Sequence, residues 1–237
     1  MSTDTRNILP RMLADTGFFF RRNLIPLIVL SFIILVPYII LINFMLAADG
    51  DGQENMALVM MVAFLGMAIQ ALHHGAEIRL FADSLEGVPW SLGRCVRAGF
   101  SSLPRLLPAF FIASLIVMFG FLAFILPGIY LAARFAFYGF YIVLEGAEPV
   151  SALKASLVAS RPYVLALMGG MAIIGCPFLI LASQFQPPGQ DSESVGLFLI
   201  LAVLFNLIFT TLISIFKFRC YCLSKEDMRA PFPDETH

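Results

Sequence analysis

The chain has 237 residues, of which 59% are hydrophobic and only 13% are charged. Soluble domains have about 25% charged residues, so this composition excludes a water-soluble globular protein with an ordinary surface. The formal net charge is -1, so the overall balance gives no indication of a nucleic-acid or acidic partner.

Six apolar segments follow one another along the chain, and they determine the predicted fold. They cover residues 24–46, 56–72, 106–126, 129–144, 163–185 and 195–216. A helix needs about 20 residues to cross the hydrocarbon core, whereas a barrel strand needs about 10, so these lengths favour helices. The first segment is also longer than the apolar part of a signal peptide. The sequence therefore predicts an all-α, polytopic membrane protein with six transmembrane helices.

The basic residues are distributed very unevenly between the predicted connections. All of the 15 lysines and arginines except Arg134 lie on the side of the two termini, whereas the connections at 47–55 and 186–194 contain acidic residues and no basic residue. Because basic residues stay in the cytoplasm, we expect both termini to be cytoplasmic. Residues 1–223 should form a single membrane domain and residues 224–237 a cytoplasmic tail. The third outer connection is predicted at Pro127-Gly128, as a tight turn between the third and fourth helices.

Three segments on the cytoplasmic side combine apolar and basic residues at helical spacing. They cover residues 8–22, 92–105 and 150–161. We expect each to form an amphipathic helix in the lipid headgroup layer. Their bases are the predicted contacts to anionic lipid, and the candidates are Arg94, Arg97, Lys154 and Arg161. The apolar faces of the second and third helices are predicted to contain Leu92, Val96, Phe100 and Leu103, and Val150, Leu153 and Leu157. Because each basic stretch is short and lies beside a span, we expect no nucleic-acid site.

Two of these segments share a motif that indicates an internal repeat. A Leu-Glu-Gly sequence begins at Leu85 and again at Leu144, and each copy is followed by a proline, a serine and a base. The spacing from proline to base, which ends at Arg94 in one copy and at Lys154 in the other, is identical. The chain then divides into three units, each an interfacial helix followed by a membrane hairpin. Such repeats are frequent in transporters, but gene duplication in a scaffold explains them equally well.

Several of these segments resemble a known family. The sequences PGIYLAAR at 127–134, LEG at 144–146 and ALKAS at 152–156, together with DTGFFFRRN at 15–23, resemble the YciC-like family of bacterial inner-membrane proteins. More distantly, they are similar to the membrane domain attached to some glycerophosphoryl diester phosphodiesterases. The resemblance covers nearly the whole chain. It implies an inner-membrane protein that is associated with envelope integrity and has no catalytic residues to carry over.

Two groups of residues are weak candidates for metal binding, and we expect neither to bind a metal. His73, His74 and Glu77 lie within one helical turn or slightly more, so they could share part of a helix face. Alternatively, they are polar side chains at the point where a transmembrane helix leaves the bilayer. Cys220 and Cys222 lack the second pair of ligands that a tetrahedral zinc site needs. We also expect no disulfide, because cytosolic thiols stay reduced.

Arg134 is the only charged residue within the apolar segments. It lies about 9 Å from Gly128 along a helix, and a lipid-facing arginine at such a position is energetically costly. It could be a structural anchor for backbone carbonyls, a contact to a lipid phosphate or anionic solute, or a side chain that extends to the headgroups. Asn206 is a polar group available to it, and a cavity between the two would favour transport.

No phosphate loop, nucleophile elbow or dinucleotide-binding glycine motif is present, so we expect no enzyme and no cofactor. The predicted function is a non-enzymatic inner-membrane protein that supports envelope homeostasis through contacts to phospholipids or a protein partner. That partner could be a membrane or periplasmic protein, or a second copy of the chain. The alternative is a small transporter or lipid-translocating subunit, in one version docking a periplasmic lipid-transfer protein.

Overall fold

The structure, a computed structural model, describes residues 5–48, 56–184 and 192–229. Within these ranges it contains helices and no strand, which confirms the predicted all-α class. The helices are α1 (Thr5–Arg22), α2 (Leu24–Ala48), α3 (Met56–Leu85), α4 (Leu92–Ala123), α5 (Ile125–Arg134), α6 (Tyr138–Glu145), α7 (Pro149–Ala159), α8 (Val164–Gln184) and α9 (Ser192–Arg229). A short 3₁₀ turn at Arg161–Tyr163 lies between α7 and α8.

The chain divides into two compact units. The central unit comprises Asn23–Val158, and the terminal unit comprises Met1–Arg22 together with Ala159–His237. Within the terminal unit, α9 continues to Arg229, beyond the predicted start of the tail at Ser224, and the Ser224 side chain is buried. The single membrane domain stays a prediction.

Several helices are long and apolar enough to cross a membrane. Five helical segments meet this condition in the described ranges, at Leu24–Leu41, Met56–Leu85, Leu92–Ala123, Ile125–Glu145 and Leu207–Glu226, of which Ile125–Glu145 combines α5 and α6. The pair Pro149–Ala159 and Arg161–Gly175, bent by 49°, adds a sixth if it forms one span. The helices therefore have the length and composition of a multi-pass membrane protein.

The second predicted interfacial helix is not a separate element. Residues 92–105 continue without a break into the predicted third span, and together they form α4. A buried stripe of Cys95, Gly99, Ser102 and Leu106 explains the continuity, because it has the spacing of one helix face and packs against α3. A Cβ atom at Gly99 would lie 2.6 Å from the carbonyl oxygen of Leu72, so the two helices approach closely here.

The predicted apolar faces of the second and third interfacial helices are only partly covered by protein. Phe100 is 59% exposed and Val150 is 55% exposed. In α7 the buried side chains include Leu153, as predicted, and Ser156, which the apolar pattern left out. Tertiary contacts of small residues, rather than the largest apolar side chains, therefore decide which face of these helices is buried.

The turn between α4 and α5 lies at Phe124, so its predicted position at Pro127-Gly128 is wrong. Phe124 has extended backbone angles (φ -167, ψ 160), and α5 begins at the next residue. Pro127 therefore lies in the first turn of α5, where its missing N–H breaks no helical hydrogen bond. Gly128 lies within α5 and lets the ring of Phe121 pack against the helix backbone.

The two connections that follow the Leu-Glu-Gly motif have similar backbone conformations. Gly87 (φ 71) and Gly146 (φ 68) are the positive-φ residues of the described chain. After the first, Val88 N–H donates to the Asp83 carbonyl (2.9 Å), which closes the end of α3 in the manner of a Schellman motif. Glycine is favoured at both positions because other residues adopt this conformation only with strain.

In the terminal unit, α1 packs against α9. The rings of Phe19 and Phe218 have centroids 6.4 Å apart, and the Arg219 guanidinium donates to the Asp15 carboxylate at 2.8 Å. Met12 is also buried. The apolar face of α1 therefore contacts protein, which leaves the opposite face of this helix for solvent or lipid.

Candidate functional site

The second half of α3 carries ionisable side chains into the interior of the central unit. His73 is 4% exposed, Glu77 is 2% exposed and Asp83 is fully buried. Buried ionisable groups are strongly unfavourable unless they are paired or hydrogen-bonded. The contacts of these three side chains therefore define the polar architecture of the unit.

His73 faces α2, where Ser31 Oγ lies 2.9 Å from its Nε2 atom. Its Nδ1 atom lies 4.0 Å from a carboxylate oxygen of Glu77, one turn further along α3. His74 points elsewhere, since its ring centroid lies 6.3 Å from that of Phe140 on α6. In the part of the chain that the structure describes, no group of three or more His, Cys, Asp or Glu side chains is placed to hold a metal ion. His73 thus joins α3 to α2 through Ser31, whereas Glu77 contacts His73 within α3 and His74 packs against a ring of α6.

Asp83 is held by two arginines at the α3–α4 connection, and we call these three residues the Asp83 clasp. Arg79 Nη2 lies 2.7 Å from one carboxylate oxygen, and Arg94 Nε lies 3.2 Å from the other. Arg94 also donates to the carbonyl of Pro89 at 2.8 Å, within the connection itself. The predicted lipid contact Arg94 therefore already has two protein partners, and it fixes the start of α4 to the end of α3.

A comparable contact fixes the α6–α7 connection. The Arg105 guanidinium donates to the carbonyl of Gly146 (3.2 Å), and its Nε lies 3.4 Å from the Glu148 carboxylate. Because Glu148 is 69% exposed, this ion pair is weaker than the Asp83 clasp. It nevertheless shows that Arg105 on α4 lies level with the end of α6.

Two other predicted lipid contacts in the central unit are exposed bases. Arg97 on α4 lies one turn from Phe100, and Trp90 precedes the start of this helix; these two aromatic side chains are 59% and 45% exposed. Lys154 on α7 lies between Val150 and Val158, which are 55% and 75% exposed. Each base is thus placed among exposed apolar or aromatic side chains, a combination typical of surfaces at the lipid headgroup level.

The terminal unit has a similar surface. On α1, Arg21 and Arg22 are exposed next to Phe18, which is 69% exposed. Arg161, the remaining predicted lipid contact, is exposed at the start of the 3₁₀ turn, and Leu165 one turn later is 71% exposed. Exposed bases therefore lie next to exposed apolar side chains in both units.

Arg134 lies at an interruption of the predicted fourth helix. The α5 helix ends at Arg134 and α6 begins at Tyr138. Ser156 of α7 bridges this gap, because its Oγ accepts from the Phe137 N–H (3.0 Å) and donates to the Arg134 carbonyl (2.9 Å). The guanidinium lies 5.9 Å from the ring centroid of Tyr130, one turn back toward the α4–α5 turn.

The depth predicted for Arg134 changes with the position of the turn. Ten residues separate Arg134 from Phe124, which corresponds to about 15 Å along a helix rather than about 9 Å. The backbone of Arg134 therefore lies further from the turn than predicted, and its guanidinium contacts Tyr130 on the side nearer the turn. The side chain of Asn206, proposed as its polar neighbour, lies outside the described side chains.

Sequence reasoning missed Ser31, Asp83 and Ser156, whose side chains make the contacts between helices. Asp83 has a recognisable signal, since a single carboxylate four residues after Arg79 and just before a connection is suited to an ion pair. The serines have no such signal, because serine is common in helices that pack closely.

Comparison with family models, with curated proteins and with solved structures finds no match to this chain.

Proposed function

We propose that this chain is a non-enzymatic, multi-pass protein of the bacterial inner membrane that binds anionic phospholipid at its cytoplasmic side. In this proposal six segments cross the membrane, both termini are cytoplasmic, and lipid binding supports envelope homeostasis. The distribution of basic residues supports the orientation. The absence of catalytic motifs from the sequence supports a non-enzymatic role, and the resemblance to the YciC-like family supports the location.

The observation that carries the proposal is the division of the bases near the two connections of the central unit. Arg94 and Arg105 are engaged by carboxylates and backbone carbonyls. Arg97 and Lys154 are exposed, and each has exposed apolar neighbours. A base in such surroundings can contact a lipid phosphate while the neighbouring side chains contact the acyl region. Lipid binding is therefore assigned to the exposed bases.

The similar connections also support the proposed repeat. Gly87 and Gly146 occupy the same motif position and have the same left-handed conformation. In both connections an arginine of α4 makes an ion pair. Arg94 pairs with Asp83 at the α3–α4 connection, and Arg105 pairs with Glu148 at the α6–α7 connection. The two arginines do not occupy equivalent positions in the repeat. Each repeat would present one basic surface, and all of these surfaces would face the same leaflet.

Two double variants with the same change in charge test the lipid assignment. In Arg97→Gln/Lys154→Gln the exposed bases are lost, and in Arg94→Gln/Arg105→Gln the ion-paired ones are lost. Each base near an anionic surface contributes roughly 1 kcal/mol, so the first variant should bind anionic lipid about 30-fold more weakly. The measurement is anionic lipid that co-purifies with protein in mild detergent, followed by titration with a fluorescent anionic lipid.

The ion-paired double variant should keep most of its lipid and lose thermal stability instead. Equal losses of lipid in both variants would mean that only net charge matters, and the assignment would be wrong. Unchanged lipid in the first variant would refute lipid binding at these bases altogether.

A second candidate function is transport or lipid translocation, with a periplasmic lipid-transfer protein as one partner. Interrupted helices and buried ionisable side chains are characteristic of transporters, and this chain has both, at Arg134–Phe137 and at His73. The test pairs melting temperature in detergent with complementation of a deletion strain for Arg134→Gln and Arg134→Lys. Normal stability with lost complementation supports a contact to a transported anion, whereas lost stability in both variants assigns Arg134 to structure.

A further inference from the structure

The connection between α4 and α5 contains no polar side chain. Residues 115–129 are all apolar or glycine, and the turn at Phe124 lies near their middle. The other two predicted outer connections, 47–55 and 186–194, are acidic. A turn that faces water is normally polar and rich in residues that solvate its backbone. This turn therefore has the composition of a membrane interior.

The large side chains around the turn are also uncovered by the rest of the chain. The exposed fractions are 63% for Phe119, 73% for Leu122, 77% for Phe124, 71% for Ile125 and 70% for Leu126. These side chains project outward from both helices. The glycines on the inner side, by contrast, are buried where α4 and α5 touch. Apolar surface thus surrounds the end of the hairpin on all sides except the helix contact itself.

The length of the hairpin agrees with the thickness of a bilayer. Arg105 contacts Gly146 and Glu148, so these polar groups define the open end of the hairpin. From Arg105 to Phe124 there are nineteen residues, or about 28 Å of helix, against a hydrocarbon thickness of about 30 Å. With the open end at one edge of the hydrocarbon core, the turn reaches the opposite edge and extends no further.

The backbone of the turn is suited to such a position. Phe124 N–H donates to the Gly120 carbonyl (3.0 Å), and Gly128 N–H donates to the Phe124 carbonyl (3.3 Å). Pro127 has no N–H, so it removes one of the donors that a helix start leaves unpaired. The donors that remain need a partner, which excludes the bilayer centre. The ester region at the edge of the acyl chains offers acceptors.

We propose that the end of the α4–α5 hairpin, residues 119–126, is inserted in the far leaflet, with its side chains among lipid acyl chains and its turn at their ester boundary. The occupant of this surface is lipid, because the hairpin is too short for its turn to extend beyond the bilayer. This site is separate from the basic surfaces assigned to anionic headgroups.

The chain contains one tryptophan, Trp90, which makes a fluorescence test direct. In a Trp90→Phe background, full-length Phe124→Trp and Leu126→Trp are reconstituted in phosphatidylcholine–phosphatidylglycerol vesicles. We expect strong quenching by lipids brominated on the acyl chains and little quenching by iodide. Phe111→Trp, on the 50% exposed middle part of α4, is the matched control and should be quenched most by bromines placed deeper.

Quenching of the Phe124→Trp and Leu126→Trp fluorescence by iodide, without quenching by brominated lipid, would show a turn in water and overturn the proposal. Protection from both quenchers would show that protein, such as a second copy of the chain, covers the turn, and it would overturn the proposal as well. One position is the turn residue itself and the other lies in the first turn of α5, so a local distortion by one tryptophan does not decide the result.

Discussion

Replacement of Asp83 by asparagine should destabilise the protein more than any single loss of an exposed charge. Asp83 is fully buried, and its two arginine partners are 33% and 41% exposed. The substitution removes the negative charge and leaves Arg79 and Arg94 without it. Removal of one partner from a buried ion pair costs about 3–5 kcal/mol, and partial solvation of both arginines lowers this. We therefore expect a loss of about 2 kcal/mol.

For a chain of this size, 1 kcal/mol corresponds to about 2–4 °C in melting temperature, so Asp83→Asn should unfold about 4–8 °C below the wild type. The assay is thermal unfolding in one detergent, followed by circular dichroism. Arg94→Gln should lose about half as much, because Arg79 still compensates the carboxylate. Arg97→Gln is the control and should change stability by less than about 0.5 kcal/mol. Equal melting temperatures for Asp83→Asn and Arg97→Gln would refute the stabilising role of the clasp.

Two further predictions concern the packing of the central unit. Ser156→Ala removes both hydrogen bonds that bridge the α5–α6 gap, so we expect a loss of about 1–3 kcal/mol in the free energy of unfolding. The same thermal unfolding measures it, and an unchanged melting temperature would contradict the bridging role. Gly99→Ala should destabilise the protein strongly, because the added Cβ atom would meet the α3 backbone. Gly93→Ala on the same helix is the control; an added Cβ atom there has nothing within 4 Å, so this variant should be neutral or slightly stabilising. Similar effects of the two substitutions would show that α3 and α4 do not touch at Gly99.

The hydrophobic pattern predicts the helical class and the approximate positions of most long helices, because a membrane span depends on composition over about 20 residues. The pattern fails at places where a single residue determines where a helix begins or whether it continues. The start of α5 at Ile125 depends on the fit of Pro127 in a first turn, and the apolar run gives no other indication of where one helix ends. The continuity of α4 depends on small residues such as Gly99, whose packing against α3 has no signature in hydrophobicity.

The break at the end of α5 also could not be predicted from its own segment. The Phe137 N–H and the Arg134 carbonyl are hydrogen-bonded to Ser156, which is about twenty residues away in the sequence and on another helix. Only a tertiary contact of this kind makes an interruption tolerable in an apolar environment. A continuous helix was therefore the natural expectation for residues 129–144.

The bases show the same dependence on tertiary contacts, and this affects how lipid binding is inferred from sequence. Arg94 and Arg97 are three residues apart on one helix and look equivalent in the amphipathic pattern. What separates them is Asp83, a carboxylate at the end of the preceding helix that engages Arg94 and leaves Arg97 exposed. Because an ion-paired arginine contributes little additional attraction to a headgroup, a count of basic residues overestimates the lipid-binding surface. In the central unit the proposed lipid-binding surface is therefore limited to Arg97 and Lys154 with their exposed apolar neighbours.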